Sequence, residues 1–246
     1  MGIEDQIPGT REGSNPALGF AGKLINIFTS PTKTFQELDQ RPTWIAPLLI
    51  SVFLVVISTQ ISFPIIMSSQ LEKLRSNPNI PPEQMQAIEG QFANSASTQR
   101  IITLVSQALI TPIVFFALAG IFYLVGTAIL GGDSSYKKVL AALTWANCIS
   151  IIATIVTTAL IIGKGSMDIS LSPALLLPAD AIGTRLHTFF SQFDFFTIWF
   201  LAVFALGFGY MYRFSMAKAY TTVGALWAVW IALYVALSGV LRQFGL

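Results

Sequence analysis

The sequence predicts an all-α polytopic membrane protein, a bundle of five transmembrane helices with short interfacial helices at its N-terminal end. Three observations carry that prediction. Hydrophobic residues make up 54% of the 246-residue chain and charged residues only 11%, against roughly 25% charged in an ordinary soluble domain. Five long apolar segments, residues 44–67, 101–130, 139–162, 195–212 and 221–241, contain no Asp, Glu, Lys or Arg. Each is apolar around its full circumference, as a lipid-immersed helix must be, whereas a soluble helix sets an apolar face against a polar one.

Segment length agrees with this reading. At about 1.5 Å per residue, about 20 apolar residues cross a hydrocarbon core of about 30 Å. The second segment exceeds that and must tilt, kink or project. Pro112 lies inside it and removes one backbone hydrogen bond, a defect that neighbouring helices or the Thr111 hydroxyl can cover, so a bend is expected there. Residues 68–100 are expected as an outer loop in which Pro81-Pro82 opens a helix carrying Met85, Ile88 and Phe92 on one face. Residues 1–16 read as a disordered polar N-terminus without the basic start and apolar core of a signal peptide, and residues 242–246 as a C-terminal tail.

Residues 17–43 carry two amphipathic helix signals. After Leu18, the positions Ala21, Leu24, Ile25 and Phe28 recur at helical spacing with Lys23 and Asn26 between them, a pattern suited to the headgroup boundary. Ser30 at an N-cap and Pro31 at the first helical position then start a second short helix carrying Phe35 and Leu38, which Pro42 stops. An interfacial collar and a partner-docking helix are both compatible with this pattern.

Orientation follows from the basic residues. With the N-terminus inside, the inner segments hold Arg11, Lys23, Lys33, Arg41, Lys137, Lys138, Arg213 and Lys218, and the outer ones Lys73, Arg75, Arg100, Lys164, Arg185 and Arg242. The excess of cations is inside, concentrated in the short turns after the second and fourth spans, which predicts a cytoplasmic N-terminus and, after five spans, an outside C-terminus. A net charge of +2 excludes a nucleic-acid partner, which requires a concentrated basic surface.

The remaining polar residues give the candidate sites. Lys137 and Lys138, with Lys23, Phe28 and Phe35 of the collar, are candidate contacts for lipid or a protein partner, since each cation near a membrane surface attracts anionic headgroups by about 1 kcal/mol. Asn147, Gln107 and Asp194 are the candidate intramembrane polar site. Asp194 stands at the start of the fourth span, where a carboxylate is favoured by the helix dipole, and could alternatively face a cavity between helices. Asn147 and Gln107, with Gln60, can pair across helices or line a pathway. Gly224, Ala228, Ala232 and Ala236 form a small-residue stripe at four-residue intervals, which favours close helix packing within the bundle or between two copies in a homodimer.

No catalytic, cofactor or metal site is expected. Cys148 is the single cysteine and His187 the single histidine, so neither a disulfide nor a Cys/His metal cluster can be built within the chain. Gly131-Gly132-Asp133 lacks the spacing of a phosphate-binding loop, and neither His-Glu-x-x-His nor Gly-x-Ser-x-Gly occurs.

Several blocks resemble one family. Ser30-Pro31-Thr32-Lys33-Thr34-Phe35 followed by Arg41-Pro42-Thr43-Trp44-Ile45-Ala46-Pro47-Leu48 resembles the approach to the membrane domain of prokaryotic Yip-family proteins. Tyr136-Lys137-Lys138-Val139-Leu140-Ala141-Ala142 is similar to the start of that family's third span, and Asp194-Phe195-Phe196-Thr197-Ile198-Trp199 with Gly207 and Ser215-Met216-Ala217-Lys218-Ala219 to its fourth span and exit. The resemblance implies five spans over residues 44–241, a cytosolic N-terminus, an opposite C-terminus and, for a prokaryotic member, the bacterial inner membrane. Eukaryotic relatives are associated with prenylated Rab-type GTPases and vesicle traffic. Their Asp-Leu-Tyr-Gly-Pro-like stretch before the first span is replaced here by Asp39-Gln40-Arg41-Pro42, so GTPase binding does not carry over.

Two functions are compatible with these features. One is a non-enzymatic scaffold or adaptor that binds a protein partner or organises lipid through its inner segments. The other is a small transporter or channel with a pathway between the helices, which the lack of ionisable groups inside the spans disfavours.

Overall fold

Helices form at each of the predicted positions, but three of their boundaries differ from the hydropathy pattern for identifiable reasons. A computed structural model describes residues 18–167 and 169–243, so the polar stretch 1–16 lies outside the described residues. Two short helices, α1 (Phe20–Thr29) and α2 (Pro31–Gln40), precede α3 (Ile45–Arg75) and α4 (Pro82–Leu124), and α4 ends in a π-helical turn, Val125–Ile129. The third span is α5 (Tyr136–Ala146) followed by α6 (Ile149–Lys164); α7 (Arg185–Phe190), α8 (Phe195–Tyr212) and α9 (Met216–Gln243) complete the chain. Among the described residues, five helical stretches are long and apolar enough to cross a membrane.

The loop expected at 68–100 is mostly helix. α3 continues to Arg75 and α4 begins at Pro82, which leaves only residues 76–81 between them. The two helices project beyond their apolar segments as an antiparallel rod. Leu71 and Leu74 on one and Met85, Ile88 and Phe92 on the other are half-buried, and the Arg75 guanidinium grips Glu89 Oε1 through Nε at 2.8 Å and Nη2 at 2.7 Å. The third span, expected to be continuous over 139–162, is broken at Asn147-Cys148. There Cys148 N bonds Trp145 O and Ser150 N bonds Asn147 O, both tighter i to i−3 contacts. The fourth span matches its expected bounds, Phe195 to Tyr212. The fifth helix carries through Gln243, so the expected tail 242–246 is helical at its first two positions, and its last three lie outside the described residues.

Pro64 in the first span organises a contact that hydropathy does not reveal. A proline has no N–H, so the carbonyl four residues earlier loses its helical partner. Pro64 vacates Gln60 O, which Arg100 Nη2 takes at 3.2 Å while Arg100 Nε bonds Gln60 Oε1 at 2.7 Å. Thr43 O, just ahead of the Trp44 N-cap of α3 and so outside its hydrogen-bond ladder, accepts from the indole Nε1 of Trp145 at 2.7 Å. Side chains of the third and second spans thereby tie themselves to the first. α4 runs through Pro112, and its irregular turn comes at 125–129, where the ring of Tyr212 lies against Gly126 and the Tyr212 hydroxyl bonds Tyr123 O at 3.1 Å. Gly131, at φ +66°, then reverses the chain, a conformation that favours glycine.

The core lies towards the N-terminal side, around α8. Phe122 of α4 meets Phe204 edge-on at 4.6 Å between centroids, and α5 is buried along almost its whole length. α1 and α2 belong to this core. Ile27, Phe35 and Leu38 are fully buried, and Phe35 sits where a Cβ on Gly207 of α8 would approach its ring to 2.6 Å. Of the two apolar faces predicted to rest on headgroups, that of α2, Phe35 and Leu38, is turned into the protein, whereas on α1 Leu24 and Phe28 are half-buried and Ala21 and Ile25 stay exposed. Ser30 occupies the N-cap of α2 as expected, but its hydroxyl makes no capping bond.

Candidate functional site

The charged side chains near the N-terminal side sort into two groups. Internal pairs consume the first group. Lys23 Nζ lies 3.0 Å from Glu37 Oε1, with side chains 8% and 15% exposed. Lys138 Nζ pairs with Asp39 Oδ1, joining the start of α5 to the end of α2. Lys218 Nζ donates to Leu130 O at 3.0 Å and stands 3.8 Å above the Phe214 ring, closing the end of the π-helical turn. The second group, Lys33, Arg41, Lys137 and Arg213, is exposed. Among the described residues of this side, one exposed carboxylate, Asp133, stands against those four cations. The surface is therefore positive because the nearby acids Glu37 and Asp39 are spent inside.

Of the predicted contact residues, Lys137 is exposed and Phe28 is half-buried against Trp199, with ring centroids 5.9 Å apart. Lys138 is half-buried in its ion pair. Lys23 and Phe35 are corrected by the structure: both are buried, because the hairpin of α1 and α2 packs on α5 and α8, and neither can meet a lipid or partner from outside. Lys33, Arg41 and Arg213 hold the exposed positions instead. The distinguishing sequence signal was the i, i+3, i+7 polar spacing of Lys33, Gln36 and Gln40, which marks the outward side of α2.

The three intramembrane polar residues do not converge. Asn147, at the break in the third span, donates from Nδ2 to Ser51 Oγ at 3.0 Å and accepts from Ser150 Oγ at 2.9 Å. Its amide thus fastens span three to span one, and Ser58 with Thr158 repeats the connection at 2.6 Å. Gln107 is half-buried on α4, and its Oε1 is buried with no partner. Asp194 caps α8: its Oδ1 accepts from Phe196 N at 2.9 Å and Thr197 N at 3.1 Å, satisfying amides that a helix N-terminus otherwise leaves open. It also borders a cavity of about 480 Å³ on the far side, with Thr157, Lys164, His187 and Ser191 among the lining residues. That neighbourhood was not legible in the sequence, because only the fold brings His187 and Asp194 to the same cavity as Lys164.

The small-residue stripe is a second correction. Gly224, Ala228, Ala232 and Ala236 are exposed, and a Cβ added at Gly224 would meet nothing within 4 Å. α9 packs instead through the adjacent ridge of Ala219, Val223 and Ile231, with Trp227 half-buried beside Phe193 at 5.1 Å. Among the described residues the stripe faces outward, and α9 meets α7 and α8 through the neighbouring ridge. No group of three His, Cys, Asp or Glu among the described residues is placed to hold a metal ion.

Five apolar helices, a buried helical hairpin ahead of them and the Ser30–Phe35 and Asp194–Trp199 blocks at the contacts just described agree with one comparison. The Yip1 domain profile matches residues 25–238. The chain belongs to the Yip1 family. It is similar to the membrane protein YknW of Bacillus subtilis (strain 168), with 25% identity over 187 residues, covering 75% of this chain and 76% of YknW. No solved structure matches. The Yip1 match begins within α1 and ends within α9, so it takes in all of α2 as well as the five spans. In this Yip1 domain, Phe35 of the Ser-Pro block and Gly207 of the fourth span meet in space, which ties two of the resembling blocks together physically.

Proposed function

We propose that this Yip1 protein is a non-enzymatic membrane scaffold whose N-terminal side, facing the cytoplasm, gathers anionic lipid and presents it, or a docked protein partner, to the inner leaflet. The observation that carries the proposal is the charge arrangement. Glu37 and Asp39 are committed to Lys23 and Lys138, while Lys33, Arg41, Lys137 and Arg213 stay exposed on the same side. A positive surface of this kind attracts the negatively charged cytoplasmic leaflet. The separation of Asn147, Gln107 and Asp194 argues against a pathway for ions, and no observation favours the transporter reading. The outward Gly224–Ala236 stripe is the surface along which two copies would meet.

The experiment is photo-crosslinking in native membranes from position 20, where Phe20 is 40% exposed. Recovery of anionic lipid above its bulk proportion, or of one reproducible protein partner, is the expected result. Replacing Arg41, Lys137 and Arg213 together by Gln lowers that enrichment by about tenfold or more, since each cation contributes about 1 kcal/mol. Recovery of bulk lipid alone, in bulk proportions and unchanged by the triple substitution, removes the proposal.

A further inference from the structure

α8 is a ruler for depth. Its 18 residues span about 27 Å at about 1.5 Å per residue, close to one hydrocarbon core. Asp39, near the end of α2, pairs with Lys138 at the start of the third span, which fixes the base of the α1–α2 hairpin near the N-terminal membrane edge. Phe35 lies against Gly207, five residues from the inner end of α8. Phe28 meets Trp199, the fifth residue from its other end. Hairpin contacts therefore climb α8 from the inner edge to beyond its midpoint.

The two helices present different surfaces at that depth. α1 exposes Phe20, Ala21 and Ile25, which hydrocarbon accepts, with Thr29 at the turn. α2 exposes Lys33, Gln36 and Gln40, which hydrocarbon does not accept. Lys33 stands two residues above Phe35, about 10 Å from the inner end of α8. Neither acid of α2 neutralises it, because Glu37 and Asp39 are held by Lys23 and Lys138. A polar, net-positive helix face alongside a span calls for water and an anion.

We infer that the α1–α2 hairpin is re-entrant, entering the membrane from the N-terminal side, and that the Lys33–Gln36–Gln40 face of α2 lines a hydrated slot that takes the phosphate of a membrane lipid. This deepens the lipid-gathering reading and rests on it for the choice of ligand, while the slot itself rests on geometry alone. Lys33 supplies the charge, and the Gln36 and Gln40 amides supply hydrogen bonds to phosphate oxygens. The apolar face of α1 meets the acyl chains.

Two measurements test it. Single cysteines at Lys33, Gln36, Ile25 and Arg41 are reacted with a membrane-impermeant maleimide from the N-terminal side, leaving the buried Cys148 as a blank. Lys33→Cys and Gln36→Cys should react within about tenfold of Arg41→Cys, and Ile25→Cys about a hundredfold slower, because thiolate chemistry requires water. A Lys33→Cys rate as slow as that of Ile25→Cys overturns the slot. An Ile25→Cys rate matching Arg41→Cys overturns re-entrance. In phosphatidylcholine nanodiscs doped with phosphatidylglycerol, native mass spectrometry should find retained phosphatidylglycerol lowered about fivefold by Lys33→Gln. Equal retention overturns the phosphate assignment, as does displacement by excess inorganic phosphate, which would identify a soluble anion as the ligand. If Lys33→Gln is silent while the Arg41, Lys137 and Arg213 substitution still lowers lipid enrichment, the slot fails and the surface reading stands.

Discussion

Replacing Lys23 by Met destabilises the folded protein by about 3–5 kcal/mol, replacing Glu37 by Leu does the same, and the double substitution recovers most of the loss. The pair lies 3.0 Å apart in side chains that are 8% and 15% exposed, so either single change leaves one charge without its counterpart in a poorly hydrated place. Removing one member of a buried pair is costly for that reason, whereas replacing both by apolar groups of similar volume is often neutral. Glu37 also accepts from Leu18 N at 2.8 Å through Oε2, and this bond is lost in both variants that lack the carboxylate. The double variant is therefore expected to fall short of the wild type by about 1 kcal/mol, the net worth of one hydrogen bond. Unfolding by SDS titration in mixed micelles measures all three. Single variants as stable as wild type would mean that Lys23 and Glu37 face water.

The second large effect is at the contact of α2 with α8. Phe35→Ala is expected to cost about 3–5 kcal/mol, since the ring is fully buried and the helices on both sides cannot close the space it leaves. Gly207→Ala approaches the same contact from the other side. Its new Cβ would stand 2.6 Å from Phe35 Cε1 and 2.8 Å from Cζ, and a planar ring enclosed on all sides has nowhere to turn, so about 1–3 kcal/mol is lost. Combining Gly207→Ala with Phe35→Leu should restore part of that loss, because the shorter side chain makes room for the methyl group. The same SDS titration reads the cycle. Additive losses in the double variant would show that the two positions do not touch.

These effects centre on the part of the fold that hydropathy described least well. Continuous apolar stretches located all five spans, because a lipid-facing helix has to be apolar all round and that requirement is visible in one dimension. The fourth span was legible to the residue, since Asp194 caps its start and a left-handed Arg213 ends it. Residues 68–75 were misread as loop because helix beyond the apolar segment can be polar, as Glu72, Lys73 and Arg75 are, whereas the helix expected to open at Pro81-Pro82 is present as the start of α4. The break at Asn147-Cys148 left no breaker residue to find. It depends on the Asn147 amide reaching Ser51, a tertiary contact.

The site was partly legible for a similar reason. Charge drew attention to the N-terminal side, where Lys137 is exposed. The pattern could not tell which cations would be spent inside, because Lys23 looks like any polar residue on an amphipathic helix until Glu37 is folded against it. Likewise the small-residue stripe of α9 suggested packing, but α9 meets α7 and α8 through the neighbouring Val223–Ile231 ridge. A proline was the overlooked signal. Pro64 marks a free carbonyl four residues upstream, at Gln60, and Arg100 is the donor that meets it.

The central claim is that the chain crosses the bilayer five times, with the α1–α2 hairpin entering and leaving on one side. Paired reporters test it most directly: a fluorescent protein that matures only in the cytoplasm and a phosphatase active only outside it, each fused in turn before Met1 and after Leu246. The account predicts that the two ends report opposite sides, with fluorescence at the N-terminal fusion and phosphatase activity at the C-terminal one. Both ends reporting the same side would contradict it, since an odd number of crossings cannot return the chain to where it began.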